Sequence, residues 1–359
     1  MSADLALFVV VVGASLLLPL LIFRQPLVGI LICLALDAAD QTIFERFSTV
    51  DLTYYQSWDK AFDVYYLVLA YVATMRNWTS RDAFRVARAL FYVRLVGVVC
   101  FELTGARHRE LLFVFPNTFE FFFIFYEAVR TRWDPTRFTL RFWVRAAAAI
   151  WVFVKLPQEY WIHVAQRDLT DTVADHPLAA AAIAAAGAAA LALAARAVRP
   201  RLPAPDHEPV LAAGPLPPGM DRLDDRLAHL VRSGRVFDRA LLEKIVLVTL
   251  VCVLFVEILP GVQATPLRVA LGVGILVTVN AFLFLFTARR GFGFESALAS
   301  FAALALFNVA FVYGAHALQR RPRAFDLATG LFLIGLLTLI VSTYTRYRPV
   351  LATRLGERV

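Results

Sequence analysis

Carboxylates, lysines and an arginine recur at helical spacing inside segments that are otherwise apolar. Asp37, Asp40, Gln41 and Phe44 stand at i, i+3, i+4 and i+7, which is one face of a helix. Gln56, Asp59, Asp63 and Tyr66 form a second stripe, with Lys60 at its edge. Arg94 lies near the midpoint of a third apolar segment and Glu102 near its end. Asn117, Glu120 and Glu127 share a narrow arc of a fourth, beside Pro116. Lys155, Gln158, Glu159 and His163 follow at i, i+3, i+4 and i+8 in a fifth, interrupted by Pro157. An ionisable group at the centre of a membrane span costs at least ~2.5–3.5 kcal/mol. Aligned polar stripes on several spans therefore predict a shared, water-filled site.

Within that site, Glu120, Asp63, Lys155, Glu159 and His163 are the candidate catalytic or proton-carrying groups. Asp37, Asp40, Asp59, Lys60, Arg94, Glu102, Asn117 and Gln158 are the candidate substrate- or ion-binding groups. Arg94 is expected to pair with Glu120, and Lys155 to face Asp37, Asp40, Asp63 or Glu102. The chain otherwise prefers Arg, so lysines in the stripes stand out: a buried Lys can lose its proton, whereas Arg effectively cannot. Pro116 lacks an N–H and leaves a backbone acceptor open at Leu112. Each group also has a structural reading, as an ion pair that glues helices together. Asp59 in addition suits an N-cap.

The elements that must carry these stripes follow from composition. The 359 residues are 60% apolar and 18% charged, with a mean hydropathy of +0.65. Soluble domains run at about 45–50% and about 25%, so a soluble enzyme and a disordered chain are both excluded. Three cysteines, an odd count, all lie in apolar runs, which excludes a disulfide scaffold. The expected fold is all-α, a polytopic transmembrane bundle. A span needs ~20 mostly apolar residues, and eleven candidates run roughly 4–23, 26–44, 59–76, 84–104, 110–129, 139–160, 177–198, 240–259, 266–287, 293–316 and 325–345. They divide into a seven-span block (1–198), a linker region (199–237) and a four-span block with a basic tail (238–359). The linker region begins with seven prolines between 199 and 219 and is expected to stay unpacked. Met220, Leu223, Leu227, Leu230 and Val231 then predict an amphipathic surface helix.

Arginines set the orientation. Those at 76–88, 130–137, 196–201, 289–290 and 346–358 fall on one side if the N-terminus is outside and the C-terminus cytoplasmic. Arg107, Arg109, Arg320, Arg321 and Arg323 run against that assignment. Asp4 precedes the first span with no basic residue, and no small-residue cleavage site follows, so this span reads as a retained helix. Arg and Ala enrichment suggests a GC-rich bacterial genome, and the expected location of a multi-pass bundle there is the plasma membrane. The net charge of +8 sits in alternate loops, which is a membrane pattern and not a nucleic-acid footprint.

Several chemistries are missing. There is no Walker-type phosphate loop, no His-Glu-x-x-His pair, no Gly-x-Ser-x-Gly elbow and no metal-spaced Cys pair. Seven spans with an outside N-terminus would suit a rhodopsin, but span seven has no Lys to hold retinal. Asp37-Ala-Ala-Asp40 and Asp59-Lys-Ala-Phe-Asp63 resemble the acidic pairs that hold Mg²⁺-diphosphate in membrane prenyltransferases, over these short pieces only. That resemblance implies cytoplasm-facing acids, whereas the topology above places them outside. No cofactor is firmly implied; a divalent cation is the one an acid-rich site would accept. The expected partners are the bilayer and a small ion or lipid-like substrate, with the C-terminal block as a candidate homo-oligomer surface. Three functions compete: a proton- or cation-coupled transporter or permease, a metal-dependent membrane enzyme acting on a lipid or lipid-linked substrate, and a non-catalytic subunit of an envelope complex.

Overall fold

A computed structural model describes residues 3–47, 52–108, 110–160, 177–198, 200, 202–220, 238–259, 264–289, 297–318 and 327–356. The regular elements described are all helical: α1 (Ala3–Leu17), extended by a 3₁₀ segment (Leu18–Phe23), α2 (Pro26–Phe47), α3 (Leu52–Asn77), α4 (Arg81–Leu103), α5 (Glu110–Val114), α6 (Thr118–Arg130), α7 (Leu140–Ile150), α8 (Leu156–Glu159), α9 (Pro177–Val198), α10 (Arg239–Ile258), α11 (Pro266–Arg289), α12 (Ala297–Leu318) and α13 (Leu327–Leu355). Among the described residues, three stretches are long and apolar enough to cross a membrane: Glu110–Arg130, Pro266–Phe286 and Gly330–Leu355. Shorter apolar helices cover Leu7–Phe23, Pro26–Ala39 and Phe301–Ala310. The surface helix expected after Met220, with Leu223, Leu227, Leu230 and Val231, lies outside the described residues, as does His163.

Prolines explain the irregularities. Pro19 sits where α1 tightens into its 3₁₀ extension. Pro116 divides α5 from α6, because it can neither donate an N–H nor let the preceding residue stay helical. Pro157 removes a donor from the next ladder, and the turn before it, Trp151–Lys155, widens to a π-helix between α7 and α8. Side-chain caps start two helices: Ser80 Oγ accepts from the Ala83 N–H at 3.3 Å, and Asp238 Oδ1 from the Leu241 N–H at 2.7 Å. Asp59 lies well inside α3, so it is not the N-cap that its residue type allowed.

α3 is the axis of the molecule. Val68, Leu69, Ala70, Tyr71, Val72 and Ala73 are consecutive and fully buried, the signature of a helix surrounded on all sides. It packs against α1 and its extension, α2, α4, α10 and α13. One hydrophobic core therefore runs through both sequence blocks, from Phe91 and Phe122 to Val251 and Ile340.

The proline-rich segment stays largely exposed but is docked by hydrogen bonds instead of running free. It lies as a strap across the end of the bundle that carries Arg24, Arg76, Arg130 and Arg354. Asp206 N–H donates to Arg132 O (2.9 Å), Val210 N–H to Thr131 O (3.0 Å) and Ala213 N–H to Arg24 O (2.8 Å). Prolines cannot donate but still accept: Trp133 Nε1 donates to Pro203 O at 3.0 Å and Arg354 Nη2 to Pro215 O at 2.7 Å. Arg354 Nη1 also donates to Asn77 O (2.8 Å), so the tail of α13, the end of α3 and the strap share one clamp. The Asp206 carboxylate accepts from the Asp134 N–H (2.8 Å) and pairs with Arg137 (2.6 Å). These partners hold it below the usual carboxylate range.

Candidate functional site

The far half of the bundle encloses a cavity of about 310 Å³. Its walls carry Asp37 from α2, Lys60, Asp63 and Tyr66 from α3, Arg94 and Glu102 from α4, Asn117 and Glu120 at α6, and Lys155, Gln158 and Glu159 from the π segment and α8. Each of the five polar stripes thus contributes at least one residue to one space. Asp59 stands beside it: it lines a neighbouring cavity of about 20 Å³ together with Ser15, Asp37, Asp63 and Tyr66. That volume is about one water-sized probe. The side chain of Asp40 and the whole of His163 lie outside the described residues.

Glu120 is held by neutral donors. Tyr66 Oη donates to its Oε1 at 2.5 Å and Asn117 Nδ2 to its Oε2 at 3.0 Å. Asn117 lies at the break made by Pro116, outside the helical ladder, and its N–H donates to Glu159 Oε1 at 3.4 Å. Glu159 in turn pairs with Lys155 at 3.4 Å; both side chains are 5% exposed, which places the ion pair out of bulk water. Lys155 Nζ also donates to Gln158 Oε1 (2.9 Å) and sits 5.0 Å from the centre of the Phe121 ring. The expected partners of Lys155 on other helices are therefore replaced by neighbours within its own turn. The i, i+4 geometry next to the π segment provides them at no loop-ordering cost. Glu102 is taken by Lys60, 3.6 Å away on the cavity rim.

Arg94 corrects a second expectation. It shares the cavity with Glu120, but Nη1 donates to the Phe115 carbonyl at 3.1 Å. That carbonyl directly precedes Pro116, so the acceptor Arg94 uses at the helix break is Phe115 O and not the Leu112 carbonyl that the missing proline N–H pointed to. Phe115 itself presses on α4: a Cβ at Gly97 would lie 2.2 Å from Phe115 Cβ, and only glycine allows this approach. Two buried atoms of the wall, Arg94 Nε and Asn117 Oδ1, have no hydrogen-bond partner among the described residues.

At the α2–α3 side, one carboxylate oxygen each of Asp37, Asp59 and Asp63 lies within 4.8 Å of the others. Carboxylates this close repel one another and favour a shared proton or a cation between them. The apolar part of the cavity is aromatic and aliphatic, with Phe91, Phe101, Phe119, Phe121, Leu67 and Leu95 among its lining.

Sequence reasoning missed a second buried polar centre, between α3, α4, α10 and α13. Tyr71 Oη donates to Glu243 Oε1, Arg88 Nη1 lies 3.8 Å from Glu243 Oε2, and Lys244 Nζ donates to Thr345 Oγ1 at 3.2 Å. The adjacent Glu243-Lys244, one of the few lysines in the chain, was the available signal. Fold and site together define an all-helical protein with membrane-length apolar helices and a charged internal cavity. The chain matches no family model, no curated protein and no solved structure.

Proposed function

We propose that the chain is a multi-pass membrane transport protein, coupled to protons or another small cation that binds at Glu120 and the Asp37–Asp63 pair. In this reading all eleven apolar segments span the bilayer as seven plus four. The arginine-rich end under the strap is cytoplasmic by the positive-inside rule. The cavity then occupies the outer half, in a bacterial plasma membrane. The observation that carries the reading is the convergence of Asp37, Asp63, Arg94, Glu120 and Lys155, from separate helices, on one cavity. Among the described residues that line the cavity, once Lys60–Glu102 and Lys155–Glu159 are paired, Asp37, Asp63 and Glu120 are left with Arg94, so this set carries an excess of negative charge and favours a cation or proton. The test is reconstitution in liposomes holding a trapped pH dye, with the membrane potential clamped by K⁺ and valinomycin. Glu120→Gln is expected to cut proton flux at least tenfold with thermal unfolding unchanged. Wild-type flux in that variant would overturn the assignment.

One observation favours a second reading, a membrane-embedded enzyme acting on a lipid-linked substrate with a divalent metal: the Asp37, Asp59 and Asp63 triad has the donor chemistry for Mg²⁺ or Mn²⁺. It requires a divalent metal that copurifies with the chain and is lost in Asp37→Ala.

A further inference from the structure

The cavity ends on aromatic rings, and a second carboxylate waits behind them. Phe91 and Phe119 line the cavity, with ring centres 5.3 Å apart and nearly perpendicular. Tyr71 does not line it. Its ring is stacked on the far side of Phe91 at 4.3 Å and 4°, and meets Phe119 edge-on at 6.3 Å. All three rings are at most 3% exposed, so they seal the cavity from the basic end. Beyond the seal, Tyr71 Oη donates to Glu243. The same helix, α3, therefore carries two tyrosine–carboxylate hydrogen bonds, Tyr66–Glu120 in the cavity and Tyr71–Glu243 behind it. Five residues of helix separate them, about 7.5 Å of axial rise.

We infer that Glu243 is the second proton-binding carboxylate of the transport path, on the basic side of a gate made by Phe91, Phe119 and Tyr71. This rests on the proton-coupled reading of the cavity. The groups around Glu243 suit the role. Arg88 of α4 lies 3.8 Å away with 44% of its side chain exposed, which connects the centre to the basic end. Tyr92 donates to the Glu243 backbone carbonyl (3.5 Å) and Tyr344 of α13 to that of Ala240 (3.2 Å). Arg348 of α13 is within electrostatic reach of Tyr344, and Lys244 is turned to Thr345. In the transfer step, a hydronium ion admitted from the cavity past the opened rings gives a proton to the Tyr71 oxygen and is left as water, while the Tyr71 hydroxyl proton passes to the Glu243 carboxylate. The tyrosine is restored, Glu243 becomes neutral, and its proton then leaves to water beside Arg88.

The full chain in the same dye-loaded, valinomycin-clamped liposomes tests this with the proton as probe. Glu243→Gln and Tyr71→Phe are each expected to lower flux at least tenfold, and Phe91→Ala, which opens the seal, to raise it. Tyr71→Phe keeps the ring stack and removes only the hydroxyl, so it carries the test even if Glu243→Gln fails to fold. Wild-type flux in Tyr71→Phe, with Glu120→Gln silent, overturns the role of Glu243 and leaves the cavity assignment standing. Wild-type chains no more permeable than protein-free liposomes overturn both.

Discussion

Glu120 and Glu127 stand two turns apart on α6, both buried, and their surroundings assign them different work. Glu127 is fully enclosed, with Arg130 Nε at 2.6 Å and Trp78 Nε1 at 2.9 Å. Its charge is matched by a cation from its own helix, and the Trp78 ring stacks on Tyr126 at 3.7 Å to close the site. Among the described residues, Glu120 is hydrogen-bonded by the neutral donors Tyr66 and Asn117, and it faces a cavity. A buried carboxylate with a dedicated cation is a strut, because removing either partner strands the other charge. A buried carboxylate held by hydroxyl and amide donors beside open space can exchange a proton or cation without dismantling the fold. Residue type and burial are the same; the partner decides.

That contrast can be broken in order of effect. Glu127→Ala leaves Trp78 Nε1 and Arg130 Nε without their acceptor, while Arg130 keeps the Leu211 and Ala212 carbonyls, and is expected to destabilise the protein by about 2–3 kcal/mol. Thermal unfolding in detergent measures it, and a melting temperature equal to that of Glu120→Gln would erase the distinction. Gly97→Ala comes next. Its methyl would lie 2.2 Å from Phe115 Cβ, so either the helix break or α4 must shift, at about 1–3 kcal/mol. Because Phe115 O holds Arg94, flux is expected to fall along with stability. A variant with unchanged flux would show that Arg94 placement is irrelevant.

The smallest effect is at the strap. Hydrogen bonds to the Asp134 N–H and Arg137 lower the Asp206 pKa, so the folded strap is favoured fully above the ordinary value of 3.8 and loses that support as pH falls through and below it. Amide exchange over residues 202–215 is expected to speed up, relative to the bundle helices, once pH falls below about 4. Asp206→Asn should remove that pH dependence.

Much of the site was legible because polar residues in apolar helices can only be spaced to share a face, and such faces meet. Asp37, Asp63, Arg94, Glu120, Lys155 and Glu159 were all readable in this way. Their pairing was not. Arg94 turned to a carbonyl freed beside Pro116, and Lys155 to its own turn, because local acceptors need no second helix to be placed. Glu243 was missed because one acid at the start of an otherwise apolar helix looks like an interfacial charge, and only the crossing of α3 against α10 brings Tyr71 to it.

By itself, the sequence determined the helical class, the segments that carry charge and the basic end, since apolar periodicity and arginine placement are local properties of the chain. Only the tertiary structure decided which charges are satisfied, that the proline-rich strap is docked, and that an aromatic seal divides two carboxylates. Each of those depends on what a neighbouring helix presents across a few ångströms, and residues far apart in the chain encode that jointly.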